Sequence, residues 1–217
     1  MAYHGYIDTI SKYCINYFQQ KNISPKVLEI GIDKGITAFS LLNNLNSYRC
    51  PYEYYGVDIR MQLQVTEFFK SYCTYKHPQT KINLIEENSL DYLPKLFDQN
   101  IKFDVILVDG DHNYETVNKE CNILKHLYHD DTLFIFDDYN GEYSYNDMFY
   151  GKKDGYQDKN MIFETKEKSG IKEPIDRFIE AEELIKFSIY DSEPPICAIT
   201  KNNRYIKFKE SVSEYSK

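Results

Sequence analysis

Short apolar runs alternate with amphipathic stretches along most of the chain. The runs are short and rich in leucine, β-branched and aromatic residues, which is typical of strands, and they cover 27–31, 54–58, 81–86, 103–108, 132–136, 186–190 and 196–200. Apolar residues spaced three to four apart predict helices over 3–20, 35–45, 62–75, 89–98, 113–128 and 174–185. Pro94 is expected to weaken the helix over 89–98 or to confine it to its first turn.

The alternation of strands with helices predicts an α/β fold. The run 103–108 is nearly continuous in apolar residues, which is typical of a strand buried on both faces of a parallel sheet. We expect a Rossmann-like three-layer α/β/α sandwich around a seven-stranded, mostly parallel sheet. The last two strands are joined by Glu193-Pro194-Pro195 and should form an antiparallel hairpin, which leaves one antiparallel strand near the edge.

The whole chain, residues 1–217, is predicted to form one domain. An N-terminal helix (3–20) precedes a ligand-binding core (25–138), and a helix with the hairpin (171–201) follows it. Between them lies a polar, tyrosine-rich stretch, 139–160, whose length and glycines are typical of a lid-like loop. Its tyrosines are candidates for stacking on a substrate ring or for closing the loop itself.

Composition narrows the partners and the compartment. The net charge of −8 argues against a nucleic-acid binder, which usually has a basic face. We find neither an apolar run long enough for a membrane span nor a signal-peptide pattern at the N-terminus. The five cysteines form no CxxC pair and no zinc spacing with histidine, so reduced thiols and a cytoplasmic location are expected. The sequence does not indicate an oligomeric state.

Candidate chemistry lies where the predicted strands end, because ligands bind at the carboxyl ends of the strands in this type of sheet. Gly31 and Gly35 flank the turn after the first strand, where glycine lets the backbone approach a ligand closely. Asp58 ends the second strand, where an acid often holds ribose hydroxyls, although it could equally cap the next helix. Asp33 in the first turn would repel a pyrophosphate and argues against a dinucleotide.

The later strand ends are also acidic. Asp109 ends the fourth strand and Asp137 the fifth, so their carboxylates should lie about 5 Å apart if the strands are neighbours. Asp138 follows at once and could turn a further carboxylate inward, which predicts a Mg²⁺ site. Asp111 follows the fourth strand, and His112 is a candidate general base because a neutral imidazole accepts a hydroxyl proton well near pH 7. The alternative is that these acids cap the following loop and helix, and that His112 is an ordinary loop histidine.

Four segments resemble the motifs of class I S-adenosylmethionine-dependent methyltransferases. They are Val27-Leu-Glu-Ile-Gly31-Ile-Asp-Lys-Gly35, Tyr55-Gly-Val-Asp58, Asn88-Ser-Leu-Asp-Tyr-Leu, and the stretch from Phe103 through Asp109-Gly-Asp-His to Glu115. More narrowly, Asp-Gly-Asp-His-x-Tyr followed by Phe-Asp-Asp-Tyr is similar to the small-molecule O-methyltransferases related to macrocin O-methyltransferase. The resemblance covers roughly residues 27–140.

The resemblance implies roles for the individual residues. Glu29, Gly31 and Gly35 would hold the methionine end of S-adenosylmethionine, with Asp33 in the same turn, and Asp58 would hold its ribose. Ser89 would lie near the adenine, although Asn88 stands where an Asp is frequent. Asp109 borders the cofactor and, with Asp137 and Asp138, matches the Mg²⁺ ligands of the metal-dependent branch, while Asp111 matches the proposed base. The cofactor carries a sulfonium cation and no phosphate, which suits the acidic first turn.

The sequence therefore predicts a Mg²⁺-assisted O-methyltransferase acting on a hydroxyl of a small molecule, with a sugar as the acceptor favoured by family analogy. One alternative is a metal-independent methyltransferase that uses Asp111 or His112 as the base. The other is a binding module that holds a nucleoside without catalysis. Turnover in the absence of metal, or binding without turnover, would separate them.

Overall fold

A computed structural model of the chain describes residues 7, 11–12, 14–15, 23–72, 78–149, 161–162, 164, 169–187 and 196–202. The helix predicted over 3–20 lies mostly outside these residues, and the five described there are helical. Among the described residues, no helix has both the length and the apolarity needed to cross a bilayer.

A seven-stranded sheet forms the centre of the molecule, in the order β3-β2-β1-β4-β5-β7-β6. β7 pairs antiparallel with both of its neighbours and the other pairs are parallel, so the predicted fold with one antiparallel strand near the edge is confirmed. The strands are β1 Lys26–Ile30, β2 Glu53–Asp58, β3 Lys81–Glu86, β4 Phe103–Val108, β5 Tyr128–Phe136, β6 Ile185–Phe187 and β7 Cys197–Thr200.

Successive side chains of the central strands point into two separate apolar layers. In β4, Val105 and Leu107 belong to one buried cluster, while Ile106 and Val108 belong to the other. The full burial of β4 confirms the prediction made from its continuous apolar run. Because both faces of the sheet are covered, its polar chemistry is confined to the strand ends.

Five helices beyond the N-terminal segment lie within the described residues, close to the positions that their amphipathic patterns predict. They are α1 Ile36–Ser47, α2 Leu63–Tyr72, α3 Ser89–Asp98, α4 Tyr114–Leu124 and α5 Lys172–Ala181. Asn88 caps α3, since its side-chain oxygen accepts the Leu90 N–H at 2.9 Å. The expectation that Pro94 confines this helix to its first turn is wrong, because α3 continues past Pro94 to Asp98.

β5 begins four residues earlier than predicted, and α4 ends at Leu124 instead of near Tyr128. The first half of β5 is polar, so its apolar pattern does not identify it as a strand. Tertiary contacts hold it there: Tyr128 pairs with Phe103, and His129 Nε2 lies 3.0 Å from Asp104 Oδ1. Strand pairing thus decides a boundary that the local pattern leaves open.

The segment after β5 is anchored to its surroundings over residues 139–149. Asp147 Oδ1 accepts the backbone N–H groups of Tyr114 and Gly170, both at 2.8 Å. The Met148 N–H donates to the carbonyl of His112 at 2.9 Å. These bonds tie the segment to the start of α4 and to the chain before α5. The remainder of the predicted lid, 150–160, lies outside the described residues.

Candidate functional site

A cavity of about 440 Å³ opens at the carboxyl ends of β1, β2 and β4. This position and size are typical of a small-molecule site in an open α/β sheet. Its lining contains five acidic side chains and a few apolar ones, and it comprises Ile30, Gly31, Asp33, Val57, Asp58, Ile59, Arg60, Gln62, Asn88, Ser89, Leu90, Asp109, Gly110, Asp111, Thr116, Glu120 and Met161.

The first turn is organised by Asp58 from the neighbouring strand. Its Oδ2 accepts the N–H groups of Ile32 and Asp33 at 2.8 and 2.9 Å, and its Oδ1 accepts that of Arg60 at 2.9 Å. Gly31 has a left-handed backbone with φ of 85°, which only glycine adopts at little cost. Asp58 thus faces the cavity and also fixes the loop that lines it.

Glu29 and Gly35 do not line the cavity. Gly35 occupies the N-cap position of α1, with φ of 76°. Glu29 is buried beneath the first turn and accepts a hydrogen bond from the Tyr54 hydroxyl at 2.6 Å. Burial raises the pKa of Glu29 to about 8, the Tyr54 bond opposes the shift, and the negative charges of Asp109 and Asp58 add to it. A direct contact of Glu29 or Gly35 with the cofactor stays a prediction.

Asp109, His112 and Asp137 form a compact group beside the cavity. One potential ligand atom from each lies within 4.8 Å of the others, and His112 Nε2 is 3.5 Å from Asp109 Oδ1. Asp109 and Asp137 converge because β4 and β5 are parallel neighbours, as the sequence predicts. Carboxylates with an imidazole can bind a divalent cation, and the buried Asp137 Oδ1 has no hydrogen-bond partner among the described residues. The residues present therefore fit a metal ion.

Electrostatics in this group are those of crowded acids. Burial and then repulsion from Asp109 and Asp138 raise the pKa of Asp137 to about 7. Burial alone would lower the pKa of His112, but its contact with Asp109 and the nearby charges of Asp138 and Asp137 raise it overall. A cation bound here would relieve this repulsion.

Asp138 is close to the group without joining it. Burial and Asp109 raise its pKa and His112 lowers it, which shows that its charge is felt there. Its backbone is left-handed, with φ of 54°, and its carboxylate folds over Gly141. The structure therefore places His112, and not Asp138, with the carboxylates of Asp109 and Asp137. A ligand role for Asp138 stays a prediction.

Asp111 lines the cavity and is not the cap of α4. That cap is Asn113, whose side-chain oxygen accepts the Thr116 N–H at 2.9 Å. Asp111 Oδ2 instead accepts hydrogen bonds from the Thr116 hydroxyl, at 2.9 Å, and from the Asn113 side-chain amide. The capping explanation of Asp111 is therefore wrong, and a role as base stays a prediction.

Ser89 lines the cavity as predicted, and it introduces a residue that the sequence reasoning missed. The Ser89 hydroxyl donates to Oε1 of Glu120 at 2.6 Å. Glu120 is 1% exposed and lies on α4. The available signal was its position, since Glu120 falls on the apolar stripe of α4 between Val117 and Leu124. A charged residue on a buried helix face needs a specific partner.

The three tyrosines after β5 differ in their placement. Tyr139 is 2% exposed and its hydroxyl donates to Asp176, so it packs inside the protein. The ring centroid of Tyr143 lies 5.2 Å from that of His112, next to the acidic group. Tyr145 is 68% exposed. Of these, Tyr143 is the one placed to contact a molecule bound beside His112.

The donor set of the cavity fits S-adenosylmethionine. Asp33, Asp58 and Asp109 give the first-turn side a negative field, which favours a sulfonium and an ammonium group. The same charges disfavour the pyrophosphate of a dinucleotide. The close approach of Gly31 to the carbonyl of Asp109 leaves no room for a side chain there.

The sequence model of a family described as "Methyltransferase domain" (Methyltransf_24) matches residues 28–139, just over half of the chain. The chain belongs to this methyltransferase family. It is an S-adenosylmethionine-dependent methyltransferase, as the motifs at the strand ends predict. Among curated proteins, no sequence matches significantly.

Solved structures share the fold of this methyltransferase at low sequence identity. The calicheamicin methyltransferase CalS11 superimposes with a TM-score of 0.60 at 12% identity, covering 91% of this chain and 79% of its own. The Bacillus cereus O-methyltransferase in complex with SAH gives 0.51 at 15%, covering 89% and 81%. MycE, solved with Mg, SAH and mycinamycin VI, gives 0.51 at 14%, covering 87% of this chain and 48% of that chain.

Replacing Asp58 with alanine should weaken the binding of S-adenosylhomocysteine by about 1–3 kcal/mol, the scale of hydrogen bonds to charged groups. The loss combines the proposed ribose contact with the first turn that Asp58 fixes. Titration calorimetry would measure it, with Glu86→Ala as the control. Glu86 ends the adjacent strand and also accepts a backbone N–H, but it is exposed and does not line the cavity. An unchanged affinity in folded Asp58→Ala would contradict the ribose assignment.

Replacing Glu29 with glutamine should make the unliganded protein more stable relative to wild type as pH rises. The raised pKa of about 8 means that the folded state holds a proton that the unfolded state releases near 4.5. Wild type therefore loses this stability between pH 4.5 and 8, by at most about 1.4 kcal/mol per pH unit.

Urea unfolding at several pH values between 4.5 and 8 would test this prediction. The control is Glu53→Gln, because Glu53 also accepts a tyrosine hydroxyl, that of Tyr55 at 3.0 Å, but at a partly exposed position. The difference between the two variants isolates the effect of burial. A pH-independent difference between Glu29→Gln and wild type would contradict a protonated Glu29.

Proposed function

We propose that this methyltransferase transfers the methyl group of S-adenosylmethionine to a hydroxyl oxygen of a small molecule, with a sugar as the favoured acceptor and Mg²⁺ as the cofactor. The observation that supports it is the group of Asp109, His112 and Asp137, whose ligand atoms lie within 4.8 Å of one another beside the cavity. Asp109 belongs to both the group and the cavity lining, so an acceptor held at the group would face the cofactor.

Bound S-adenosylmethionine would supply the methyl group, and bound Mg²⁺ would make an acceptor hydroxyl more acidic. Asp109 and Asp137 would hold the metal on the acceptor side, and Asp58 and the first turn would hold the cofactor. Asp109 belongs to both sides, so acceptor and donor would be held next to each other, as methyl transfer requires. Because His112 would be a metal ligand in this mechanism, the proton of the acceptor would pass to Asp111.

The acceptor class has two supports. CalS11 is described as a TDP-rhamnose 3'-O-methyltransferase, and MycE was solved with mycinamycin VI. In this chain, the ring of Tyr143 beside His112 offers a flat surface on which the apolar face of a sugar or another ring can pack. Both point to a small molecule rather than a polymer.

The second candidate is a metal-independent O-methyltransferase with His112 as base. It is favoured by the His112–Asp109 contact of 3.5 Å, because a carboxylate beside an imidazole orients it and stabilises its protonated form. Asp111 is the other candidate base, and its Oδ2 accepts hydrogen bonds from the side chains of Asn113 and Thr116. The two mechanisms differ in whether turnover needs metal.

An acceptor screen with and without metal tests the proposal. We expect S-adenosylhomocysteine to form when S-adenosylmethionine and Mg²⁺ are offered with a panel of nucleotide sugars, glycosides and catechols. EDTA should abolish turnover of the recognised acceptor, and excess Mg²⁺ should restore it. Full turnover in EDTA would overturn the Mg²⁺ assignment and favour the His112 mechanism.

A further inference from the structure

One buried carboxylate of the cavity lining has no role in the proposed methyl transfer. Glu120, on α4, is 1% exposed and lines the cavity. Its Oε1 accepts the Ser89 hydroxyl at 2.6 Å, while its buried Oε2 has no hydrogen-bond partner among the described residues. Burial raises the pKa of Glu120 to about 7, the Ser89 bond opposes the shift, and Asp111 adds to it.

A buried carboxylate oxygen that accepts no hydrogen bond costs free energy. We therefore expect a bound ligand to donate a hydrogen bond to Oε2 of Glu120. The Ser89 bond holds the carboxylate in one orientation. Since Oε1 is engaged, the donor must reach Oε2, at the end of the cavity formed by the start of α3 and the middle of α4. The ligand group there should be a hydrogen-bond donor.

The residues that line the cavity indicate which part of the cofactor would lie there. Asp58, between the first turn and α3, is the proposed ribose site, so one end of the cofactor lies toward Gly31 and the other toward Ser89. The apolar residues Ile59 and Leu90, next to Asp58 and Ser89 in sequence, line this second side. Apolar contacts suit the flat, uncharged purine, while the charged amino-acid end suits the acidic first turn.

We propose that Glu120 recognises the adenine base, with Oε2 accepting a hydrogen bond from the exocyclic amine and Ser89 acting as the positioning residue. This rests on the proposed placement of S-adenosylmethionine in the cavity. Asn88, where an adenine contact could also be expected, uses its side-chain oxygen to cap α3. Glu120 therefore provides specificity from a different helix.

The test compares two nucleosides on matched variants. S-adenosylhomocysteine carries the exocyclic amine, whereas its inosine analogue carries a carbonyl oxygen at that position. Calorimetry at pH 8, above the pKa of about 7, keeps Glu120 ionised. Wild type should bind the adenosine form at least about tenfold more tightly, because a site built for a donor rejects an analogue that lacks it. In Glu120→Gln, whose amide can donate to a carbonyl, the preference should fall below about threefold.

Glu115→Gln is the control, because Glu115 lies on the same helix outside the cavity lining, and it should keep the wild-type preference. Glu120→Asp provides a second folded variant, in which the withdrawn carboxylate should bind S-adenosylhomocysteine more weakly. A wild-type preference kept by Glu120→Gln, with S-adenosylhomocysteine still bound, would overturn the role of Glu120 alone. If wild type bound neither nucleoside, the placement of the cofactor would fail as well.

Discussion

Replacing Asp137 with alanine should lower kcat/KM by about 10²–10³-fold, while the affinity for S-adenosylhomocysteine changes by less than about threefold. Asp137 lies in the proposed metal group and not in the cavity lining, so its loss should remove acceptor activation without touching the cofactor. Steady-state kinetics with a recognised acceptor and calorimetry on the same samples would measure both quantities.

Asp130→Ala is the matched control for this variant. Asp130 lies near the amino end of β5, the strand that Asp137 directly follows, and is exposed. It should leave both quantities unchanged. Removing Asp137 also relieves the repulsion that raises its pKa, so the variant should remain folded. A rate within tenfold of wild type in saturating Mg²⁺ would exclude Asp137 as a metal ligand.

Replacing Gly31 with alanine should destabilise the protein by about 3 kcal/mol, which combines a strained left-handed backbone with a steric clash. The new Cβ would lie 2.0 Å from the carbonyl oxygen of Asp109. This is a backbone atom directly after the neighbouring strand β4, so it cannot move aside freely. Gly31 also donates its N–H to the Val57 carbonyl at 2.9 Å. Urea unfolding of the unliganded protein would measure the loss.

Gly110→Ala is the control that separates the effect of this clash from the general effect of replacing a glycine with alanine. Gly110 belongs to the facing loop, where an added Cβ would lie 3.3 Å from the side chain of Ile30 and would meet no backbone atom closer than 3.8 Å. We expect it to be clearly milder than Gly31→Ala. Equal losses in the two variants would show that the close approach of the first turn to Asp109 is not what requires glycine.

The strands were predictable wherever burial and local pattern agree. β4 begins and ends where its apolar run does, because a strand covered on both faces needs apolar residues at nearly every position. β3, a partly buried edge strand, also has its predicted bounds. The polar start of β5 was not predictable, because its pairing with β4 outweighs the preference of the local sequence. The bounds of α3 were predicted, whereas the expected confinement of this helix to its first turn by Pro94 was wrong.

The candidate site shows the same division. A regular α/β alternation is enough to place Asp58, Asp109 and Asp137 at the same end of the sheet, because the carboxyl ends of parallel strands all lie there. The acidic character of this carboxyl end of the sheet follows from the sequence alone. So does the methyltransferase family, whose motifs are these strand ends and the turns that follow them.

Only the tertiary structure decides which side chains face one another at the carboxyl end of the sheet. It brings His112, not Asp138, to the carboxylates of Asp109 and Asp137, since the left-handed backbone at Asp138 turns its carboxylate over Gly141. The direction of such a side chain depends on backbone and side-chain torsion angles, to which the hydrophobic pattern is insensitive.

Glu120 and Tyr139 were also decided by packing. Glu120 is a polar residue on an apolar stripe, and its meaning emerges only when Ser89 and the cavity are seen beside it. Tyr139 is buried against Asp176 on α5, 37 residues away in sequence. The sequence by itself determined the order of the elements and the chemistry of the strand ends, because both follow from local periodicity. Long-range burial and hydrogen bonding determined the partners of each side chain.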